Sequence, residues 1–150
     1  INFMHEKFMK EALIEAEKSF KIDEVPIGAV IVSNGKVLAR AHNLKNRNNS
    51  SLSHAEMIAI GRASKKMQNW RLDDCDIYVT LEPCPMCASA IKQSRISNIY
   101  YGVESRNVNN HKIFEMICEN KDNNSPVKYY SGFRKNECLI LLNKFFKNKR

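Results

Sequence analysis

The feature that most constrains this chain is a set of metal-ligand residues divided between two distant segments. His54 and Glu56 lie in the first segment, and Cys84 and Cys87 form a Cys-x-x-Cys pair in the second. A chain that brings one imidazole and two thiolates to a single zinc ion must pack these segments together. Three protein ligands leave a fourth position open, which is typical of a catalytic zinc site.

The ligand set also predicts the chemistry. Two thiolates neutralise the dication, so the centre would acidify its water less than an all-histidine site does. A nearby base is then useful, and Glu56 is the candidate. The pattern predicts hydrolysis by zinc-bound water, with Glu56 as the proton shuttle. His54 and Glu56 would face different ways on a regular helix, so their spacing alone does not predict that they converge.

The local context of the ligands predicts two helix starts. Cys84 and Cys87 are three positions apart and share one face of a helix. Pro83 suits the first position of that helix, whose N-terminus would favour thiolates. Ser53 is a good N-cap residue for the helix that carries His54.

Two other interpretations of the motif remain open. A Cys-x-x-Cys pair can be a redox pair, and a structural zinc site would need a fourth protein ligand. The spare candidates are His5, His42, His111, Cys75, Cys118 and Cys138. None has a typical ligand spacing from the others, so the pattern favours catalytic zinc.

Composition bounds the class of protein. The 150 residues fit a single domain, expected over residues 1–150, and 43% hydrophobic residues are ordinary for a globular protein. The net charge of +8 favours a polyanionic partner, although the charge is spread widely. Three cysteines beyond the pair suggest a reducing cytosol, and neither a signal peptide nor a membrane span is expected.

Apolar periodicity predicts strands that alternate with helices. Helices are predicted around Met4–Phe20, Ser53–Met67, the cysteine pair to Ser94, Lys112–Cys118 and Phe133–Lys149, and strands at Ile27–Val32, Lys36–Ala41, Asp76–Leu81, Ile96–Val103 and Val127–Ser131. Asn34-Gly35 predicts a hairpin. The order predicts an α/β domain with a mixed sheet, antiparallel first and parallel afterwards. A turn-rich tract, Asn120–Ser125, is too short to separate domains.

The motif His-Ala-Glu followed by Pro-Cys-x-x-Cys resembles the signature of the zinc-dependent cytidine/deoxycytidylate deaminase superfamily. The rest of the chain resembles the bacterial tRNA adenosine deaminases, in the stretches Val25–Ala29, Ala41–Asn43, Asn69–Leu72, Leu81–Ala88 and Gly132–Lys147. The resemblance implies a three-layer α/β/α cytidine-deaminase-like fold with a mixed five-stranded sheet. It implies one Zn²⁺ per chain on His54, Cys84 and Cys87, and conversion of adenosine to inosine at the wobble position of a tRNA anticodon. The partners it implies are the anticodon arm of tRNA and a second copy in a cytoplasmic homodimer.

Substrate contacts are implied less directly. Asn43 matches the family position that contacts the nucleoside, although a turn residue would look the same. Val25 and Pro26 resemble the wall of the base pocket, and an apolar strand entry explains them equally well. Phe145 and Phe146, followed by Lys147, Lys149 and Arg150, could form a platform for unstacked bases, or a helix end with Phe145 in the core.

One loop departs from the resemblance. Where bacterial relatives commonly carry an aspartate, this chain has Ser105 within the run 104–110. Contacts of this loop with nucleic acid are therefore not carried over. Two other functions stay open: deamination of a free base or nucleotide of the cytosine or guanine type, and a structural-zinc module that binds nucleic acid.

Overall fold

The computed structural model describes residues 2–121 and 126–149, and five helices and five strands lie within these ranges. The elements are α1 (Asn2–Lys21), β1 (Gly28–Ser33), β2 (Lys36–His42), α2 (Ala55–Met67), β3 (Cys75–Leu81), α3 (Pro85–Gln93), β4 (Asn98–Val103), α4 (Val108–Glu119), β5 (Lys128–Tyr130) and α5 (Lys135–Lys147). The strands form one sheet in the order β2-β1-β3-β4-β5. β1 is antiparallel to β2 and β3, whereas β3–β4 and β4–β5 are parallel. The predicted mixed five-stranded sheet is confirmed.

Helices cover both faces of the sheet. Because successive side chains of a strand point to opposite faces, Ala29 and Ile31 pack with α2, α3 and α4, and Val30 and Val32 pack with α1 and α5. The three-layer α/β/α prediction is confirmed. None of the helices in the described ranges has the length and apolar character that crossing a lipid bilayer requires.

Two glycine positions show why the first strands form as they do. Asn34 and Gly35 have φ of 52° and 73°, the left-handed conformation that a two-residue hairpin turn requires, and Ser33 pairs with Lys36. The predicted hairpin is confirmed. At Gly28 an added Cβ would lie 2.0 Å from the carbonyl oxygen of Ala12, so α1 can pack this closely on β1 only because the residue is glycine.

The predicted elements all occur, and most of their boundaries shift by one to four residues. The largest difference is α4, which runs from Val108 to Glu119 rather than over Lys112–Cys118. Three of the four residues in its first turn are polar, so apolar periodicity does not reveal it. The side chain of Asn107 instead caps it by accepting a hydrogen bond from the Asn110 N–H at 3.1 Å. Residues 122–125 of the predicted turn lie outside the described residues.

Candidate metal centre

His54 directly precedes α2 and is its N-cap. Its backbone is extended, with φ −76° and ψ 152°, and its carbonyl accepts the N–H of Ile58 at 3.1 Å. The prediction that Ser53 caps this helix was wrong by one residue. The Ser53 carbonyl accepts a hydrogen bond from Leu44 and so belongs to the preceding loop. The first candidate metal-ligand side chain is thus carried by the cap itself.

Cys84 holds the equivalent position before α3. It is extended, with φ −67° and ψ 168°, and its carbonyl accepts the N–H of Ala88 at 2.8 Å. The first helical residue is Pro85, so the prediction for Pro83 was wrong: the extended backbone of Cys84 delays the helix. Both ligand segments therefore present a side chain at a helix N-terminus, whose dipole favours thiolate at the cysteine.

The three candidate ligand side chains converge. The Nδ1 of His54 lies 3.6 Å from the Sγ of Cys84 and 3.5 Å from the Sγ of Cys87. A tetrahedral zinc ion with typical bond lengths would separate a nitrogen from a sulfur ligand by about 3.6 Å. The residues present therefore fit zinc. Over residues 2–121 and 126–149, no fourth His, Cys, Asp or Glu joins the group, so the fourth ligand of a structural site is not found there.

Glu56 lies in the first turn of α2 and is only 4% exposed. Burial raises the pKa of its carboxyl group from the ordinary 4.5 to about 7, with a smaller contribution from the negative charge of Cys84. A hydrogen bond with Cys87 brings the carboxylate to the ligand cluster. The helix start thus carries both His54 and a carboxyl group whose affinity for protons suits exchange near neutral pH.

The two thiols differ in acidity. Hydrogen bonds from Cys87 and His54 lower the pKa of the Cys84 thiol to about 4. The bond to Cys84, together with burial, raises the pKa of Cys87, and the bond to Cys84 also raises the pKa of His54. The cluster therefore concentrates negative charge on Cys84 and keeps protons on its neighbours. A cation that binds there releases those protons, so its affinity falls as the pH falls.

Asn43, predicted to contact substrate, is 5% exposed and holds its surroundings together. Its Nδ2 donates to the carbonyl of Val25 at 3.3 Å, and its Oδ1 accepts the N–H of Lys45 at 3.2 Å. Val25 is half-buried, and Pro26 is buried. The amide thus ties the segment before β1 to the loop after β2. Contact of Asn43, Val25 and Pro26 with substrate stays a prediction.

A cavity of about 250 Å³ lies at the carboxyl ends of β3 and β4. Val25 and Phe146 both line it, so the structure brings together two of the five predicted substrate residues. Arg106 and Asn143 line it as well, and the Arg106 guanidinium donates to the Asn143 Oδ1 at 2.8 Å. No sequence motif marks this pair as functional. Its only signal was that the loop at Ser105 departs from the family pattern.

The two phenylalanines near the end of α5 have different surroundings. Phe145 is 8% exposed and packs edge-on against Phe20, with 6.5 Å between ring centroids. Phe146 is 52% exposed. The buried ring of Phe145 cannot offer a stacking face, so its assignment to the platform is corrected in favour of the core alternative. Arg150, the last residue of the predicted platform, lies outside the described residues.

Comparisons with known proteins agree with this geometry. The family model for MafB19-like deaminases matches residues 3–150. The tRNA-specific adenosine deaminase of Bacillus subtilis is 41% identical over 146 residues, which cover 97% of this chain and 90% of the relative. A solved structure from studies of A-to-I editing by tRNA:A34 deaminases at the wobble position of transfer RNA is 39% identical, with a TM-score of 0.82 over 91% of this chain and 99% of that one. The guanine deaminase from Nitrosomonas europaea, at 19% identity and a TM-score of 0.78 over 93% and 83%, shares the fold.

Proposed function

We propose, because this chain belongs to the MafB19-like deaminase family, that it is a zinc enzyme converting adenosine to inosine at the wobble position of a tRNA anticodon. One observation carries the proposal: three ligand atoms converge at the spacing of a tetrahedral zinc site beside the buried carboxyl group of Glu56. The similarity to tRNA-specific adenosine deaminases over nearly the whole chain supports this choice of substrate.

His54, Cys84 and Cys87 would hold one zinc ion per chain. Bound zinc would supply Lewis-acid activation of the attacking water. The protein's own part is to fix the three ligands at helix starts and to leave the fourth position open to solvent and substrate. Both thiols must be ionised to serve as ligands, and the low pKa of Cys84 already favours that state.

Glu56 would move the protons. Its carboxylate accepts a proton from the attacking water and delivers it to the purine ring nitrogen beside the reacting carbon, and then assists the departure of ammonia. A group that must both accept and donate works best when its pKa lies near the working pH. A pKa raised to about 7 by burial meets that condition.

The cavity at the carboxyl ends of β3 and β4 supports a polynucleotide substrate. The exposed ring of Phe146 and the side chain of Val25 line one cavity, into which an unstacked base could be held. Asn43 and Pro26 shape the adjoining segment, and the net charge of +8 attracts phosphates. We assign the anticodon arm of tRNA to this surface.

Assembly and location are part of the same proposal. The described residues form one sheet, which supports a single deaminase domain over residues 1–150. Val108 and Met116 on α4 are each 64% exposed, and large apolar side chains of this kind are suited to a homodimer contact. A cytoplasmic enzyme would meet tRNA and keep its ligand thiols reduced. Light scattering of the purified protein measures the subunit number directly.

The decisive experiment compares substrates. Zinc-loaded protein is incubated with an anticodon stem-loop that carries adenosine at the wobble position, and in parallel with free adenosine, cytosine and guanine. Inosine should form in the stem-loop, and the free compounds should remain unchanged. Inosine that depends on zinc and disappears with a chelator completes the result. Deamination of a free base with no reaction on the RNA would contradict the proposal.

A further inference from the structure

A second buried carboxylate lies beside the cysteine turn. Glu82 directly follows β3, and its side chain is 1% exposed. Its Oε1 accepts a hydrogen bond from the Nδ1 of His111, on α4, at 2.5 Å. Within the described part of the chain, its Oε2 is buried and has no hydrogen-bond partner. The histidine therefore supplies the bond that compensates this carboxylate for the loss of water.

Burial makes Glu82 dependent on His111. A carboxylate that is removed from water without a partner is strongly unfavourable, and removal of one member of a buried pair destabilises a protein far more than the pair stabilises it. Among the described residues, no second hydrogen bond to Glu82 compensates for the loss of the one from His111. Without the imidazole, neither side-chain oxygen of Glu82 would have a hydrogen-bond partner among the described residues, so the side chain must turn toward solvent, and this change alters the turn that begins with it.

That turn leads to a metal ligand. The N–H of Glu82 donates to the carbonyl of Val103 at 2.8 Å, so its main chain is attached to the end of β4 while its side chain is attached to α4. Pro83 follows with a fixed φ, and Cys84 is the next residue. With only one intervening residue of restricted conformation, a shift at Glu82 is passed to the Cys84 sulfur.

We infer that His111 is a positioning residue for the metal centre: its bond to Glu82 holds the turn 82–84 so that the Cys84 sulfur lies at ligand distance from His54 and Cys87. The inference rests on the proposed zinc site. It adds a residue on α4, an element that carries no metal ligand. Outer partners of this kind typically govern metal affinity by about 10- to 100-fold.

The charges around His111 favour the same bond. Its Nε2 lies 3.7 Å from a carboxylate oxygen of Glu115, and Glu104 is also near. The bond to Glu82, followed by the charges of Glu82, Glu115 and Glu104, raises the pKa of His111. Neutral imidazole can still donate from Nδ1, so the positioning role does not depend on protonation.

The test is the zinc dissociation constant of the full chain, measured by competition with a chromogenic chelator. His111→Ala should bind zinc about 10- to 100-fold more weakly than wild type. His111→Asn should stay close to wild type, because the asparagine amide can donate from nearly the Nδ1 position. Glu82→Gln combined with His111→Ala should bind more tightly than His111→Ala alone, because the buried charge is gone.

His5 provides a matched control. It is also half-buried, and its Nδ1 makes a 2.6 Å hydrogen bond with the Tyr78 hydroxyl in the α1/α5 layer, away from the cysteine turn. His5→Ala should lower thermal stability and leave zinc affinity unchanged. Equal zinc affinity in His111→Ala and wild type, or an equal loss in His5→Ala, would overturn the inference.

Two further comparisons keep the result interpretable. If His111→Ala does not fold, His111→Asn is compared with His111→Gln, whose amide lies at the Nε2 position and does not reach Glu82; equal zinc affinities would then overturn the inference. A wild-type protein that binds no zinc contradicts the proposed function itself. A wild type that binds zinc and forms inosine, with His111→Ala equally tight, contradicts only the role of His111.

Discussion

Glu56 and Glu82 lie at the same end of the sheet and are equally buried, each 4% exposed when the whole residue is counted, but their surroundings differ. Glu56 adjoins the thiols and imidazole of the candidate metal centre, and burial raises its pKa to about 7. Glu82 is held at 2.5 Å by His111. The proton affinity of the Glu56 carboxyl group suits proton exchange near neutral pH, whereas the Glu82 side chain is fixed in place by a hydrogen bond from α4. Burial alone therefore does not mark a catalytic acid, and the partner decides.

The strongest test of this difference between Glu56 and Glu82 is to neutralise each carboxylate in turn. Glu56→Gln should keep zinc and lose at least ~10²-fold in turnover on the stem-loop, since the amide cannot shuttle protons. Glu82→Gln should retain most of the turnover once loaded with zinc. Zinc content by atomic absorption and single-turnover inosine formation are measured on both variants. Near-normal turnover in Glu56→Gln would remove this residue from the mechanism.

The pH dependence of stability separates the same two residues in metal-free protein. The folded state binds the Glu56 proton more tightly than the unfolded state, because its pKa is raised from 4.5 to about 7. This contribution is fully present below pH 4.5 and is lost as the pH rises to about 7. Glu56→Gln avoids the loss, so relative to wild type it should gain nothing near pH 4.5 and up to ~3 kcal/mol above pH 7.

Denaturant unfolding in the presence of a chelator measures that difference. The matched variant Glu82→Gln should instead be less stable than wild type, because His111 loses its charged partner. A Glu56→Gln variant that is no more stable than wild type at pH 8 would show that the buried carboxylate is compensated in some other way.

The contrast also explains how far the sequence could predict the site. His54, Cys84 and Cys87 were selected as candidate ligands because zinc accepts few ligand types and the Cys-x-x-Cys spacing is short and local. The hairpin at Asn34-Gly35 was equally local. The convergence of His54 with Glu56 on the cysteines could not be predicted from spacing. It depends on which helix starts meet at the end of the sheet, and this is settled by packing of α2 and α3.

The hydrogen bond between His111 and Glu82 could not be predicted from the sequence for the same reason. His111 is 29 positions away, in a polar first turn with no apolar period to reveal the helix. Nothing in the sequence around Glu82, which precedes a proline, or around His111, which lies in a polar run, predicts that the two side chains meet. The pairing follows only from the parallel order of β3 and β4, whose carboxyl ends bring the cysteine turn and α4 together. Apart from α4, whose start lies four residues earlier than predicted, helix starts and caps shifted by one or two residues because local backbone bonds decide them.

The smallest expected effect concerns Phe145 and Phe146, two neighbouring phenylalanines with different surroundings. Phe146→Ala should weaken binding of the stem-loop by ~1–3 kcal/mol, the usual contribution of one base stacked on an aromatic ring, with an unchanged melting temperature. Phe145→Ala should lower the melting temperature, because its ring packs on Phe20.

Removal of residues 146–150 should weaken binding of the stem-loop further and flatten its salt dependence, because Lys147 and Lys149 are lost with the ring of Phe146. Binding isotherms at several salt concentrations distinguish the three variants, and unaltered affinity after the truncation would assign the RNA surface to another part of the molecule.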